Sequence, residues 1–260
     1  MKKSLLMTIP INKTAGRVLC GLFTFLLTLG CDVYTTQKCP SYVVCYNNLR
    51  SIKLSALESD SKGVIINCGN DIPVKTFHLY STGEEKETYD WLCNKHHDLT
   101  YNEYRTFMKD LPSESVTFND KDFVSIDIIS DTDFDVNHSA GDNLADIVRF
   151  ISWSPYKYIR SGYREYYHYS PGSLSNTFES VMPIYWGREY TQTESTCHPV
   201  DKMVSELSSD DLILLGHDHP GMIGILVFEV LPTNRGAQNI TVRMTTDAGM
   251  TLEDVITLTF

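Results

Sequence analysis

The chain has 260 residues, of which 42% are hydrophobic and 21% charged, and this composition is that of a globular protein rather than a disordered or fibrous one. Its 33 acidic residues outnumber its 22 basic ones, which gives a formal net charge of -11. This acidic balance argues against a dedicated nucleic-acid-binding protein, which normally presents a basic face.

The first thirty residues have the pattern of an export signal. Lys2, Lys3, Lys13 and Arg17 precede a mainly apolar run over Val18–Leu29, and no acid occurs among them. A helix of that length spans at most about 18 Å, which is too short for the roughly 30 Å hydrocarbon core of a membrane. A basic start followed by a short apolar core is typical of a secretory signal peptide.

The apolar run ends at Gly30-Cys31, which resembles a bacterial lipobox, where a cysteine is acylated and becomes the new N-terminus. Thr28 and Leu29 depart from the usual pattern, in which Leu and then Ala or Ser precede the small residue. Residues 1–30 are therefore interpreted as a lipoprotein signal peptide and Cys31 as the lipidation site. The alternative is a plain secretory signal, with Cys31 as an ordinary half-cystine.

Cleavage before Cys31 changes the charge of the protein. It removes four basic residues and no acid, so that 18 basic residues remain against 33 acidic ones and the net charge becomes -15. Because an anionic membrane surface repels such a chain, the lipid is the expected anchor in the bilayer. We expect a location in the bacterial cell envelope, with the outer membrane favoured and the periplasmic or surface face left open.

Export permits disulfides, and an odd number of cysteines follows the lipidation site. They are Cys39, Cys45, Cys68, Cys93 and Cys197. Cys39 and Cys45 lie close together near the start of the mature chain, so we predict a disulfide between them. The lack of a CxxC pattern argues against a thioredoxin-like redox site and against a zinc ribbon.

The mature chain is divided into a short tether and one domain. Residues 31–47 are interpreted as the tether, and residues 48–260 as a single β-rich globular domain. Alternation of apolar and polar residues predicts strands early in this domain, at Leu49–Leu54, Val64–Ile66 and Val74–Leu79.

Three helices are predicted between the strands. The first covers Thr100–Leu111, where Thr100 begins a capping box and Pro112 ends the helix. The second begins at Asp142, and the third is a short helix over Val200–Leu207.

The end of the chain has the clearest β pattern. Strands are predicted at Phe123–Ile129 and Ile223–Val230, and a hairpin joins Ile240–Met244 to Leu252–Phe260 through the turn residues Asp247–Gly249. A hairpin that ends the chain is found in many immunoglobulin-like domains. We therefore predict a mainly β (α+β) fold, with an immunoglobulin-like β-sandwich core and two or three short helical insertions.

Acids at alternate positions make Asp131–Asp142 the sharpest local motif. The candidate calcium ligands are Asp131, Asp133, Asp135, Asn137 and Asp142. Their order follows the calcium loop of an EF-hand, but Val136 replaces the glycine of that loop and a strand precedes it. Calcium is the one cofactor that the sequence suggests, and the alternative is a solvated acidic loop in which Asp142 caps a helix.

A second candidate metal site is the turn His217-Asp218-His219. Two imidazoles at this spacing reach one metal only from a strand or a turn, and zinc needs a third protein ligand, for which His138 or His198 are candidates. The alternative is an ordinary polar turn.

Eleven aromatic residues crowd between Trp153 and Tyr190, with arginines beside them. Exposed Tyr and Trp side chains offer large, rigid surfaces that stack on sugar rings or anchor protein partners. We predict ligand binding by Tyr163, Tyr166, Tyr167, Tyr185 and Trp186. The alternative is that the aromatic residues pack an irregular segment onto the sandwich.

The sequence contains none of the common catalytic patterns, such as GxSxG, HExxH, a P-loop or a dinucleotide-binding glycine motif. With its lipobox, its β-rich body and the passage Ser130–Leu144, the chain resembles uncharacterised lipoproteins of gut Bacteroidetes. The lipobox is the one specific motif of this resemblance. Because such families have no assigned activity, the resemblance assigns no functional residue.

The leading hypothesis is a non-catalytic cell-envelope lipoprotein that binds a glycan or an envelope protein through the aromatic segment 153–190. No enzymatic activity and no nucleic-acid partner are expected. A ligand-free structural lipoprotein is the first alternative. A metal-dependent hydrolase built around His217 and His219 is the second.

Overall fold

The computed structural model describes residues 34–57, 62–69, 75–108, 116–170, 172–186, 194–216 and 221–260, with the backbone alone at 34–35, 106–108 and 182–186. The predicted signal peptide and Cys31 lie outside these residues. The described chain falls into two compact units, a small one with residues 34–37 and 104–108 and a large one with the rest. Among the described helices, none has the length and apolar character that crossing a bilayer requires.

Most of the small unit is a two-stranded sheet of β1 (Tyr34–Cys39) and β6 (Glu103–Met108). Strand β6 lies inside the segment Thr100–Leu111 that was predicted to be helical, so that prediction is wrong. The aromatic and β-branched residues of β6 suit a strand. Pairing with β1 engages one edge of β6, and a local sequence pattern contains no sign of a partner so far away in sequence.

A five-stranded antiparallel sheet forms the centre of the large unit. In spatial order its strands are β12 (His198–Met203), β9 (Val148–Ser154), β13 (Met222–Phe228), β4 (Gly63–Cys68) and β3 (Ile52–Ala56). The strands β9 and β13 are buried on both faces, because alternate side chains enter two different hydrophobic cores.

A second sheet packs on one face of the central sheet. It consists of β15 (Thr251–Thr259), β14 (Ala237–Thr246) and β8 (Phe123–Ser130), and the pairing of β14 with β15 confirms the predicted terminal hairpin. At one corner the carboxylate of Asp254 in β15 accepts the backbone N–H of Leu54 in β3 at 2.9 Å. This contact joins the edges of the two sheets.

The core between the two sheets is built from alternate residues of their strands. Val148 and Phe150 of β9 share one core with Ile240, Val242 and Met244 of β14, and all five side chains are fully buried. The prediction of a mainly β, α+β fold with a sandwich-like core is therefore confirmed.

Helices and a small sheet cover the other face of the central sheet. They are α1 (Glu84–His96), α2 (Tyr156–Arg160), α3 (Asn176–Trp186), and the strands β5 (Thr76–His78), β2 (Cys45–Asn47) and β7 (Thr117–Asn119), which pair in that order. A short ribbon of β10 (Tyr167–His168) and β11 (Glu194–Ser195) lies in the aromatic part of the chain. The second core lies beneath these elements.

The described part of the chain has three α-helices, but none of them is at a predicted position. Asp142 begins no helix, because residues 142–147 form a bridge and a turn that lead into β9. Val200 belongs to β12, which pairs with β9, and only Val204–Glu206 wind into a 3-10 turn. The apolar spacing that suggested these helices comes from alternate burial on the central sheet.

The boundary predicted at residue 48 is wrong for residues 38–47. Val43, Val44 and Tyr46 are fully buried in the large unit. Tyr46 also lies on β2, which is paired on both sides. These residues belong to the folded body rather than to a tether.

Candidate binding site

Much of the predicted aromatic segment is buried. Trp153 and Phe178 are fully buried, with ring centroids 5.6 Å apart, and Tyr158 is 3% exposed. Tyr167 is half-buried and packs edge-to-face on Trp153 at 5.7 Å. These four rings contribute to the core, and Tyr167, like Tyr163, is half-buried against it.

Five tyrosines form a second aromatic group, which we call the tyrosine cluster. Its members are Tyr42, Tyr101, Tyr158, Tyr163 and Tyr166. Neighbouring ring centroids lie 4.9 to 5.8 Å apart in edge-to-face arrangements, the geometry that aromatic pairs prefer. The sequence predicted Tyr163 and Tyr166, but it gave no signal for Tyr42 and Tyr101, which lie far from them along the chain.

Asp98 holds the tyrosine cluster to the N-terminal segment. This fully buried residue accepts the N–H of Tyr42 at 2.6 Å and the hydroxyl of Tyr163 at 2.9 Å through Oδ1. Its Oδ2 accepts the N–H of Val43 at 2.8 Å. Burial raises the pKa of Asp98, and the three donors oppose that rise without cancelling it. One carboxylate therefore binds two distant segments of the chain, Tyr42–Val43 and Tyr163, to the end of α1.

Tyr163 holds its place at a conformational cost. Its φ is 63°, in the left-handed region, where a bulky residue is rare and costs about 1 kcal/mol or more. It follows Gly162 at the end of α2, its N–H donates to the carbonyl of Tyr158 at 2.9 Å, and its hydroxyl donates to Asp98. Backbone and side-chain contacts together keep this ring in one position.

The tyrosine cluster reaches solvent at its edge. Tyr166 is 38% exposed, and its hydroxyl lies 3.2 Å from that of the buried Tyr158. Tyr163 and Tyr101 are half-buried, and Leu99 is 48% exposed. Of the predicted ligand-binding residues, Tyr163 and Tyr166 are thus brought together at the surface. The side chains of Tyr185 and Trp186 lie outside the described residues, and their role stays a prediction.

The candidate calcium ligands do not converge on one point. The two oxygens of Asp131 accept the backbone and side-chain N–H groups of Asn239 at 2.9 and 2.8 Å. Asp133 accepts the N–H of Ala140 at 2.8 Å. Each carboxylate thus has its own partner.

The other acids of this motif also bind backbone groups of their own loop. Asp135 accepts the N–H of Asn137 at 2.8 Å, and Asp142 accepts the N–H of Ser139 at 2.8 Å. In the part of the chain that the structure describes, no group of three or more His, Cys, Asp or Glu is placed to hold a metal ion. In the described structure the candidate ligands are therefore not gathered into a calcium site. Asp133, Asp135 and Asp142 bond to N–H groups of their own loop, and Asp131 ties the loop to Asn239 of β14.

His138 clamps this loop between two carboxylates. Its Nδ1 lies 2.8 Å from Asp135 Oδ1, and its Nε2 lies 3.0 Å from Asp146 Oδ1. The bond to Asp135 is the main cause of a raised pKa of His138. His198, the other candidate third zinc ligand, lies with Nε2 2.8 Å from the carbonyl oxygen of Glu165. His217 and His219 lie outside the described residues.

The sequence did not predict a buried polar network beside α1. His96 Nε2 lies 2.9 Å from Asp122 Oδ2, and His96 Nδ1 lies 3.1 Å from the hydroxyl of Tyr46. Lys95 reaches the same Asp122 oxygen at 2.6 Å and Asp247 at 2.8 Å. Burial opposes ionisation of Asp122, but His96 and Lys95 outweigh it and lower its pKa. At 2% and 3% exposure, His96 and Asp122 are closed to substrates and act as structural ties.

The predicted disulfide between Cys39 and Cys45 is wrong, because Cys45 is a free thiol. Both residues are buried. Burial raises the pKa of Cys45 and of Cys68 to about 11 and that of Cys93 to about 12. Thiols with such pKa values stay protonated and unreactive at neutral pH.

Comparison of the chain with protein-family models, with curated proteins and with solved structures finds no match. The fold and the site themselves define a mainly β protein with a sandwich-like core. A rigid tyrosine cluster reaches the surface on the side of α2.

Proposed function

We propose that this protein is a non-catalytic lipoprotein of the bacterial cell envelope, which binds a glycan or a protein partner through the aromatic segment 153–190. The observation that carries the proposal is the position of Tyr166, which is 38% exposed and packs edge-to-face on the buried Tyr158. A ring that is already fixed loses little conformational entropy when a ligand stacks on it.

The tyrosine cluster supports this role because it is preorganised. Tyr163 is held in a strained backbone conformation, and its hydroxyl is bound to the buried Asp98. Strained residues that their surroundings hold in place occur frequently at ligand-binding sites. The cluster therefore offers a rigid platform of the kind that binding surfaces use.

The envelope location rests on the sequence of the N-terminus. Gly30-Cys31 follows the apolar run directly, as a lipidated cysteine does in bacterial lipoproteins, and the form of this lipobox is why we propose a Bacteroidetes-like origin. Lipidation predicts that the full chain sediments with membranes and takes up a labelled fatty acid. Replacing Cys31 by Ala should abolish both properties, and membrane association that survives this change would contradict the anchor.

Binding is tested with a glycan array and with envelope extracts, using the wild type and Tyr166→Ala. Trp91→Ala is the matched control, because Trp91 is a 59% exposed aromatic residue on α1, outside the aromatic segment. The proposal predicts equal binding by the wild type and the control, and binding at least about 10-fold weaker by Tyr166→Ala. Equal binding by all three proteins would contradict it.

The burial of Trp153, Tyr158 and Phe178 favours a second candidate, a structural envelope lipoprotein without a ligand. In that case the aromatic residues serve the core alone. The same experiment separates the binding protein from the structural one. A structural protein binds no ligand in a way that depends on Tyr166, and replacing its buried aromatic residues lowers its stability alone.

A further inference from the structure

Three exposed cations follow one another closely in sequence on α2 and in the turn after it. Lys157, Arg160 and Arg164 are all exposed. Within the described residues none of the three takes part in an ion pair, whereas seven other Lys and Arg side chains do. Their charge is therefore open to a ligand.

The local backbone keeps these cations together. Lys157 and Arg160 are three residues apart on α2 and so project from the same side of the helix. The hydroxyl oxygen of Ser161 accepts the N–H of Arg164 at 3.1 Å and that of Glu165 at 2.9 Å. This turn holds the backbone of Arg164 close to the C-terminal end of α2, the end at which Arg160 lies.

Tyrosines lie among the cations. The guanidinium of Arg160 is 5.6 Å from the ring centroid of the half-buried Tyr156, and Tyr166 is 38% exposed beyond the turn. We call Tyr156, Lys157, Arg160, Arg164 and Tyr166 the basic tyrosine surface. Residues 156–166 contain one acid against three bases, while the chain after residue 30 carries a net charge of -15.

From the proposed binding function, on which this step rests, we infer that the basic tyrosine surface takes an acidic oligosaccharide, a sugar that carries a carboxylate or a phosphate. The pyranose ring stacks on Tyr166 or Tyr156. The anionic group bonds to the guanidinium groups of Arg160 and Arg164, which match carboxylate and phosphate geometry.

The size of the surface favours a sugar over a protein partner. A stable protein interface takes about 20 to 30 residues a side, whereas the basic tyrosine surface comes from the single segment 156–166. Ile159 is the one aliphatic residue of this segment, and it is 2% exposed.

The charge of the whole chain disfavours large anionic partners. A membrane surface or a nucleic acid extends well beyond the Debye length of about 8 Å and so meets the acidic remainder of the protein. A short acidic oligosaccharide contacts the basic tyrosine surface alone. The local charge therefore selects a small anionic ligand.

The test is calorimetric titration of the full lipidated protein in detergent. The probes are oligogalacturonate, its uncharged methyl ester, and mannose 6-phosphate, and anionic phosphatidylglycerol vesicles are a further arm. The double variant Arg160→Gln/Arg164→Gln removes two of the cations. Arg235→Gln is the matched control, because Arg235 is exposed and lies in the loop before β14.

The inference predicts that the wild type and Arg235→Gln bind an acidic sugar at least about 10-fold more tightly than the methyl ester, because the ester cannot form charge-assisted hydrogen bonds with the arginines. This ratio corresponds to about 1.4 kcal/mol. The double variant should lose this preference while its melting temperature is unchanged. Tight binding of oligogalacturonate identifies a carboxylate as the recognised group, and tight binding of mannose 6-phosphate identifies a phosphate.

Three results would overturn the inference. Equal binding of the methyl ester would show a glycan-binding protein without preference for acids, which leaves the proposed function intact. Binding of the vesicles but of no sugar would identify a membrane surface as the ligand. Binding of neither acidic sugar would exclude this ligand class, and the Tyr166→Ala comparison would then decide the proposed function by itself.

Discussion

The carboxylate of Asp98 accepts a 2.9 Å hydrogen bond from the hydroxyl of Tyr163, a residue 65 positions further along the chain. The same carboxylate binds the backbone of Tyr42 and Val43. The tyrosine cluster is therefore anchored in the interior of the protein, because its position depends on the buried carboxylate of Asp98 at the end of α1.

Replacing Asp98 by Asn should lower the free energy of unfolding by about 3 kcal/mol, since it weakens charged hydrogen bonds and turns an NH₂ group towards a backbone N–H. Tyr163→Phe removes one bond and should cost about 1 kcal/mol. Urea denaturation of both variants and of the double variant measures the coupling. If the stability loss of the double variant equals the sum of the two single losses, a direct bond between Asp98 and Tyr163 is contradicted.

The His138 clamp predicts a pH-dependent contribution to stability. The pKa of His138 is raised in the folded protein by its bond to Asp135. Protonated His138 therefore stabilises the fold fully below its unfolded pKa of about 6.5, and this contribution is lost as the pH rises through the folded pKa. The melting-temperature difference between wild type and His138→Gln should be largest in mild acid and shrink towards alkaline pH. A difference that stays constant would show that the clamp is not ionic.

For Asp122 we expect a contribution to stability with the opposite pH dependence. Burial opposes its ionisation, but His96 and Lys95 lower its pKa. Its contribution is therefore present above the unfolded pKa of about 3.9 and is lost as the pH falls through the folded pKa. Asp122→Asn should be clearly less stable than the wild type at neutral pH, and the gap should narrow in strong acid. Asp210→Asn serves as the control for the effect of removing one acid, because Asp210 is exposed.

The buried thiols should resist modification in the native state. With a pKa of about 11, Cys45 and Cys68 carry about 100-fold less thiolate than an ordinary cysteine with a pKa of 9.0. We expect slow reaction with a chromogenic disulfide reagent in buffer and rapid reaction in guanidinium chloride without reductant. A thiol count that stays low after unfolding would reveal disulfides and contradict free Cys45.

The sandwich was predictable because alternation reports directly which side of a strand is buried. Strands β8, β14 and β15 alternate in sequence as they alternate in burial. In the segment Thr100–Leu111, by contrast, the spacing of the apolar residues fits a helix. The segment nevertheless contains strand β6, because it pairs with β1. Local patterns contain no information about such a distant partner.

The candidate site was predictable only in part, for the same reason. Tyr163 and Tyr166 stand out because aromatic residues are dense around them in the sequence. Asp98 and Tyr42 carry no local signal, and their role arises when β2 and α1 pack on the central sheet. The motif Asp131–Asp142 predicted a calcium site because its carboxylates stand at alternate positions. Carboxylates at this spacing serve equally well as acceptors for loop N–H groups, as Asp135 does.

The central claim is that the aromatic segment binds a partner through Tyr166. The most direct measurement is the dissociation constant of the best ligand from the glycan array for the wild type, Tyr166→Ala and Trp91→Ala, with the melting temperature recorded for each. The account predicts binding at least about 10-fold weaker for Tyr166→Ala, as for an interface residue worth more than about 1.4 kcal/mol, and unchanged affinity for Trp91→Ala. Equal affinities of the three folded proteins would contradict it.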